Sequence, residues 1–346
     1  MRVTNQMMST SYLKDLNRNL NNLNTLQTQL TTGKEINKAS DNPFKTARIM
    51  QMYSDISANK QYNENIKDTI SWLDTTDTAL NQLGSTSQRI RELMVSSGNA
   101  IYGSDEKKAI KNEINQLINQ TAQILNTNFD GKYIFGGTKS LSKPVGVEKD
   151  SNGNNILVFK DADGNSFNEE GKAYIKNTDG TIERDANGNL KVEANSKPEY
   201  ENLLKQMKSS LSVEVSNGVN MDYNVCAPNI LISKKGTNAM KLLNDVVNNL
   251  DKENSSEVLN NNLADMDLFI ANINNIRGEV GSKQNRMETA KTQNEDQNSS
   301  MKEILSKTED VDMAEKTIEL ATLQSVYVAS LQVSAAIIQK SLVDFI

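Results

Sequence analysis

Near the start of the chain, Leu13, Leu16, Leu20, Leu23, Gln27 and Leu30 follow one another at spacings of 3, 4, 3, 4 and 3 residues. That alternation keeps an apolar seam on one face of a helix with a single polar member. An isolated helix is marginal in water unless such a face is covered, so the chain has to supply a partner. Its other end offers one. Leu323, Tyr327, Leu331, Ile338, Leu342 and Phe345 mark a second face, widened by Val326, Val333 and Ile337. The simplest cover for the first seam is this last helix, folded back in an antiparallel or looped-back coiled coil. The C-terminal face is wider than one partner helix can cover. Its surplus predicts further helices of the same chain or neighbouring subunits, with both ends ordering on assembly.

Between the two ends the text changes twice. "TTGKEINKASDNPF" interrupts the first seam: Gly33 suits the position after a helix, and Ser40, Asp41 and Asn42 offer N-caps ahead of Pro43. Ile49, Met52, Ile56 and Lys60 then lead into Ile66, Ile70, Leu73, Asp77, Leu80, Leu83, Ser87, Ile90 and Met94, again near 3.5 spacing. A further helix starts near Ser104-Asp105-Glu106, acids that suit a helix N-terminus. From about Ser140 to Pro228 short turn signals take over: "DSNG", "DADG", "NTDG" and "DANG", separated by β-rich pieces such as "NILVFK". Helical spacing returns with Met240, Leu243, Val247 and Leu250, then Leu263, Met266, Ile273 and Ile276. Gly278 and Gly281 each weaken a helix by about 1 kcal/mol relative to Ala, yet a continuous helix is expected across them. The fold class is mainly α with an inserted small β domain, its long helical bundle and coiled coil built from the N- and C-terminal regions. The expected divisions are 1–42 with 305–346 as a terminal coiled coil, 43–138 with 231–304 as a helical bundle, and 139–230 as a β-rich outer domain.

Composition removes most chemistry. The chain of 346 residues has no histidine, which excludes Ser-His-Asp and Cys-His catalysis and the HExxH zinc motif. A net charge of −6 disfavours nucleic acid, and no stretch approaches the ~18 apolar residues of a membrane span. The lone Cys226 cannot form an internal disulfide and reads as a small buried apolar residue. "DADGNSFNEEGK" fails as a calcium loop, because Ser166 stands where the turn glycine belongs and Lys172 where the bidentate Glu belongs. "FGGTKS" lacks the spacing of a phosphate-binding loop and reads as a boundary turn. Glu309, Asp310 and Asp312 read as solvated helix carboxylates, and Trp72, beside Leu73, as packing. No catalytic, metal or cofactor site is expected.

Three stretches carry a resemblance: "LTTGKEINKASDNP", "TISWLDTTDTALNQLGSTSQRIRELMV" and "SKTEDVDMAEKTIELATLQSVYVASLQVSAAIIQKSLVDFI". They are similar to the ends of the flagellin-like axial proteins of bacteria. Within that family, "FDGKYIFGGTK" and the ending "SLVDFI" resemble the hook–filament junction branch, with a short flagellin as the alternative. The resemblance implies a non-enzymatic subunit, exported through the flagellar type III channel without a cleaved signal peptide and placed outside the cell. It implies a ring of like subunits between a FlgK-like first hook-associated protein and flagellin, and a FlgN-like export chaperone. It implies assembly through the terminal helices, and the two seams read from spacing, Leu13, Leu16, Leu20, Leu23 and Leu30 with Leu323, Tyr327, Leu331, Ile338, Leu342 and Phe345, are the expected interface. Leu331→Asp and Ile338→Asp are each expected to abolish incorporation into flagella while circular dichroism shows the central fold intact; normal motility in such variants would refute the assignment.

Overall fold

The computed structural model describes residues 5–97, 104–185, 189–233, 236–250 and 256–343. Helix α1 spans Asn5–Thr32 and ends where Gly33 adopts φ +72° and donates its amide to the Gln29 carbonyl at 2.8 Å. A left-handed residue just past a helix is where glycine costs least. Helix α2 spans Pro43–Ser97, with Asn42 Oδ1 accepting from the Lys45 amide at 3.1 Å. The cap followed by proline in the first turn is what the sequence led one to expect. Helix α3 spans Ser104–Leu125, with Asp105 and Glu106 in its first turn.

A short hairpin follows, β1 (Asn128–Phe129) and β2 (Lys132–Tyr133). Both of its central residues are left-handed, Asp130 at φ 50° and Gly131 at φ 76°, as a tight two-residue hairpin turn requires. Strands β3 (Val145–Lys149), β4 (Asn155–Lys160) and β5 (Ser166–Phe167) then form one antiparallel sheet with β4 central, Val145 opposite Phe159 and Phe159 opposite Phe167. Helix α4 (Pro198–Lys208), the hairpin β6 (Ser212–Ser216) and β7 (Val219–Asp222), and helices α5 (Ala227–Leu231) and α6 (Ala239–Asn249) complete the middle of the chain. Helix α7 (Ser256–Glu309) runs through Gly278 and Gly281 without interruption, and helix α8 spans Met313–Val343.

The chain forms two compact units, residues 1–61 with 295–346, and residues 62–294. In the larger unit α2 and α7 run antiparallel. Arg91 pairs with Asp267, Arg277 Nε with Asp77 at 2.9 Å, and Gln284 with Asp74 at 2.7 Å. Leu73, Leu80 and Leu83 share a continuous core with Phe269, Ile273 and Val280. The strands of the insertion belong to that same core. Successive side chains of a strand point to opposite faces, and β4 is buried on both: Leu157 and Phe159 join the helical core, while Ile156 and Val158 pack with Ile182 in a second, smaller cluster.

One turn device recurs through the insertion. At Asp150, Asp161, Asn168 and Asp185 the side-chain oxygen accepts the amide of the residue four places on, at 2.6 to 2.8 Å. Each of these residues also donates its own amide to that later residue's carbonyl. Asn177 makes the same backbone link to Thr181. The glycine before the closing residue is left-handed at Gly153, Gly164, Gly171 and Gly180. The turn signals of the sequence are therefore one repeated hairpin tip, and the stretch with a calcium-loop look is two such tips in succession.

At the first tip, Asp150 is fully buried and receives Arg184 Nε at 2.6 Å; Arg184, itself buried, also reaches Asn244 on α6. Removing one partner of a buried pair strands the other charge, a loss of about 3 to 5 kcal/mol. Arg184→Met is expected to lower the urea-unfolding stability of the larger unit by about 3 kcal/mol, measured by the midpoint at unchanged slope; a change within error would show that Asp150 is held by its own turn alone.

Candidate assembly surface

The smaller unit buries few apolar side chains. Among the described residues only Leu26, Ile49, Ile56 and Leu305 are buried apolar side chains in it. Ile49, Ile56 and Leu305 form a cluster supported by Ile36, Met52 and Met301. The rest of the unit is the pairing of α1 with α8. Tyr12 donates its hydroxyl to the Ser330 carbonyl near one end, and Lys34 bridges Asp310 at the other, so the two helices are antiparallel.

The less exposed side chains of α1 include Tyr12, Leu16, Asn19, Leu23, Leu26 and Leu30, at spacings of 4, 3, 4, 3 and 4, with Gln29 beside the last of them. On α8 they are Lys316, Leu320, Leu323, Tyr327, Ser330 and Ser334. Two heptad frames overlap on α1 and share Leu16, Leu23 and Leu30. Leu13 (54% exposed) and Leu20 (41%) belong to the other frame, about a quarter-turn round the helix. Leu26, at 5% exposure, is the buried member that the first frame passes over. On α8, Leu323 and Tyr327 face inward, whereas Leu331 is 42% exposed. Val326 and Val333 are exposed on one flank of the seam, Leu331 and Val328 on the other. Ile338 and Leu342 lie on α8 with side chains outside the described residues, as is all of Phe345. A helix apolar on nearly every side is built to be surrounded.

The turn between α7 and α8 is closed by a clamp. Glu309, buried at the end of α7, accepts from Lys34 Nζ on one carboxylate oxygen and from the Tyr53 hydroxyl at 2.6 Å on the other. The main chain reinforces it: Glu35 N donates to Glu309 O at 2.6 Å, and Val311 N to Gly33 O at 3.0 Å. The sequence reads Glu309 as solvated, because its partners lie about 275 and 256 residues away and no local spacing shows them. Asp312 behaves as the sequence suggests for a surface acid, capping α8 by accepting from Ala314 N at 2.9 Å.

With this geometry in place, the class of protein is defined. The sequence model of the bacterial flagellin N-terminal helical region matches residues 3–140, and that of the flagellin C-terminal helical region matches residues 263–346. Together they take in well over half of the chain, which belongs to the bacterial flagellin family. A flagellin of Clostridium tyrobutyricum is 32% identical over 138 residues, 40% of this chain and 37% of that protein. Flagellin 1 of Proteus mirabilis is 29% identical over 160 residues, 44% of this chain and 43% of that protein. The chain thus spans less than half the length of the curated relatives it matches. Among solved structures, a flagellar hook-associated protein from Vibrio parahaemolyticus shares the fold at 17% identity and a TM-score of 0.56, over 78% of this chain and all of that one. FlgL of Bacillus cereus aligns over 74% of this chain and 99% of its own, at 20% identity and a TM-score of 0.48. No described helix is long and apolar enough to cross a membrane.

The clamp carries a pH signature. The hydrogen bond that Lys34 donates to Glu309 raises Lys34 above its ordinary 10.5, with Tyr53 adding to it, and donation to the same carboxylate together with burial raises Tyr53 above 10.0. Both groups hold their protons more tightly when folded, so their contribution is complete below those ordinary values and is lost as pH climbs past the raised ones. Helix signal at 222 nm is expected to fall in wild type once pH has climbed past the ordinary values of 10.0 and 10.5. Glu309→Gln is expected to lower the melting temperature at pH 8 and flatten that alkaline fall; an identical alkaline profile in the variant would refute the clamp.

Proposed function

We propose that this chain is a structural subunit of the flagellum that forms the junction between hook and filament, assembling through its terminal helices. The observation that carries the reading is the α1–α8 pair, whose apolar flanks, Leu13 and Leu20 on one helix and Val326, Val328, Leu331 and Val333 on the other, are left open in a single chain. Exposed apolar surface of that extent marks an interaction face, and identical subunits arranged in a ring would cover both flanks of each α8 with neighbours. Ile338, Leu342 and Phe345 extend the same face along the sequence. The likeness in fold to a hook-associated protein favours the junction over the filament shaft. On this reading the partners are a FlgK-like hook-associated protein on one side, flagellin on the other, and a FlgN-like chaperone that shields α8 before type III export.

A second reading, a short flagellin of the filament itself, is favoured by the curated sequence relatives, which are flagellins. Position separates the two. Immunogold labelling is expected only in a short zone at the distal end of the hook, and loss of the gene should leave hooks that shed their filaments. Label along the whole filament would overturn the junction role in favour of the shaft.

A further inference from the structure

We infer that the larger unit carries a site of spontaneous covalent modification, Asn217 in the tip of the β6–β7 hairpin, which converts to aspartate and isoaspartate. An Asn–Gly step is prone to this change because glycine has no Cβ to hinder its amide nitrogen from reaching the asparagine side chain. The sequence has three such steps, at Asn152, Asn187 and Asn217, of which Asn187 lies outside the described residues. The other two sit in turns that are held in different ways. At the first, the Gly153 amide donates to the Asp150 carbonyl at 3.0 Å, and the amides of Asn152 and Asn154 donate to Asp150 Oδ1 at 2.9 and 2.6 Å. Asp150 is fully buried on Arg184, so freeing Gly153 means opening a buried ion pair. At the second, the Gly218 amide is held by a side chain, donating to Glu214 Oε1 at 2.9 Å. Glu214 is half-buried, and the same oxygen accepts from the Tyr62 hydroxyl at 3.4 Å. Asn217 and Gly218 are both exposed.

The reaction needs water alone. The Gly218 amide gives its proton to hydroxide, and its nitrogen bonds to Asn217 Cγ. The Cγ–Nδ2 bond then breaks, and ammonia leaves with a proton taken from water, which restores the hydroxide and leaves a cyclic succinimide. Water opens that ring at either carbonyl, to aspartate or to isoaspartate, so the sum is one water consumed and one ammonia released. The Gly218 amide must leave Glu214 before it can attack. A bond to a half-buried side chain is readily exchanged for one to water, so Glu214 guards Asn217 weakly, whereas the buried Asp150 guards Asn152 firmly. The consequence stays in the hairpin. Ser216 lies opposite Val219 across the two-residue turn, and Gly218 at φ +73° supplies its left-handed residue. Isoaspartate inserts a methylene into that main chain, and a turn so short fixes the register of its strands. Either product also adds a carboxylate near Glu214. The base of the hairpin stays docked, with Val215 and Met221 in the core and Asn294 Nδ2 donating to the Val215 carbonyl at 2.7 Å. The modification therefore opens the tip and spares the core. Every residue of the site lies in the larger unit, so the inference is independent of the assembly role.

The full chain is incubated at pH 8 and samples are digested at acidic pH, where the reaction is slow. Mass spectrometry follows the replacement of NH2 by OH at each asparagine, and electron-based fragmentation separates isoaspartate from aspartate. Asn217 is expected to convert about tenfold faster than Asn152, with isoaspartate among its products. Glu214→Ala, which frees the Gly218 amide, is expected to speed conversion of Asn217 about threefold while Asn152 and the circular dichroism spectrum stay unchanged. Asn152 converting as fast as Asn217 would overturn the inference, as would an intact Asn217 under conditions in which a synthetic peptide of the same hairpin sequence converts. Conversion of Asn217 no faster in Glu214→Ala than in wild type would overturn it too, because the guard would then lie elsewhere.

Discussion

Glu309 ends α7 with its carboxylate buried between Lys34 and Tyr53 and its carbonyl taken by the Glu35 amide. Three segments far apart in sequence meet at that one residue: the turn after α1, the early part of α2, and the break between α7 and α8. The paired bonds Glu35–Glu309 and Val311–Gly33 fix how far α8 stands from α1 at the closed end. Once that end is set, the shared 1.5 Å rise of two helices carries the register along to Tyr12 and Ser330. Which leucines are covered and which stay open is therefore decided at the clamp as much as by the leucines themselves.

The two units solve the burial problem differently. The larger one draws strands and helices into a single core, with β4 buried on both faces. Its buried charge is matched by a buried partner, Asp150 by Arg184. The smaller one is little more than a pair of helices and a modest apolar cluster. Membership of the flagellin family rests on the stretches that include that thinly covered unit. A protein whose terminal helices are underpacked in isolation is suited to finding the rest of its core in other chains.

Much of this was legible in the sequence. Periodicity is a local signal, so α2, α3, the uninterrupted course of α7 and the β-rich insertion could be read from spacing alone, as could the caps at Gly33 and Asn42. The pairing of the chain's two ends followed from their exposed seams. The choice between two heptad frames did not, because Leu16, Leu23 and Leu30 satisfy both and the deciding contacts lie on α8 and at Glu309. The burial of Glu309 was hidden for the same reason. The recurring hairpin tip was visible as "DSNG" and its kin, but "NEEGK", its third instance, was obscured by the calcium-like spacing around it. Trp72 does pack, as its place beside Leu73 suggests.

The hairpin tips and the helix pair lie at opposite extremes of loop closure. Each tip joins residues four places apart, whereas Tyr12 and Ser330 are 318 apart. Because closure entropy grows with the logarithm of loop length, the longer closure costs about 4 kcal/mol more for a featureless chain. Local contacts of the first kind form in microseconds, while those of the second wait until the intervening chain is compact. The hairpin tips can therefore close before the rest of the chain is in place, whereas the pairing of the two termini depends on everything between them.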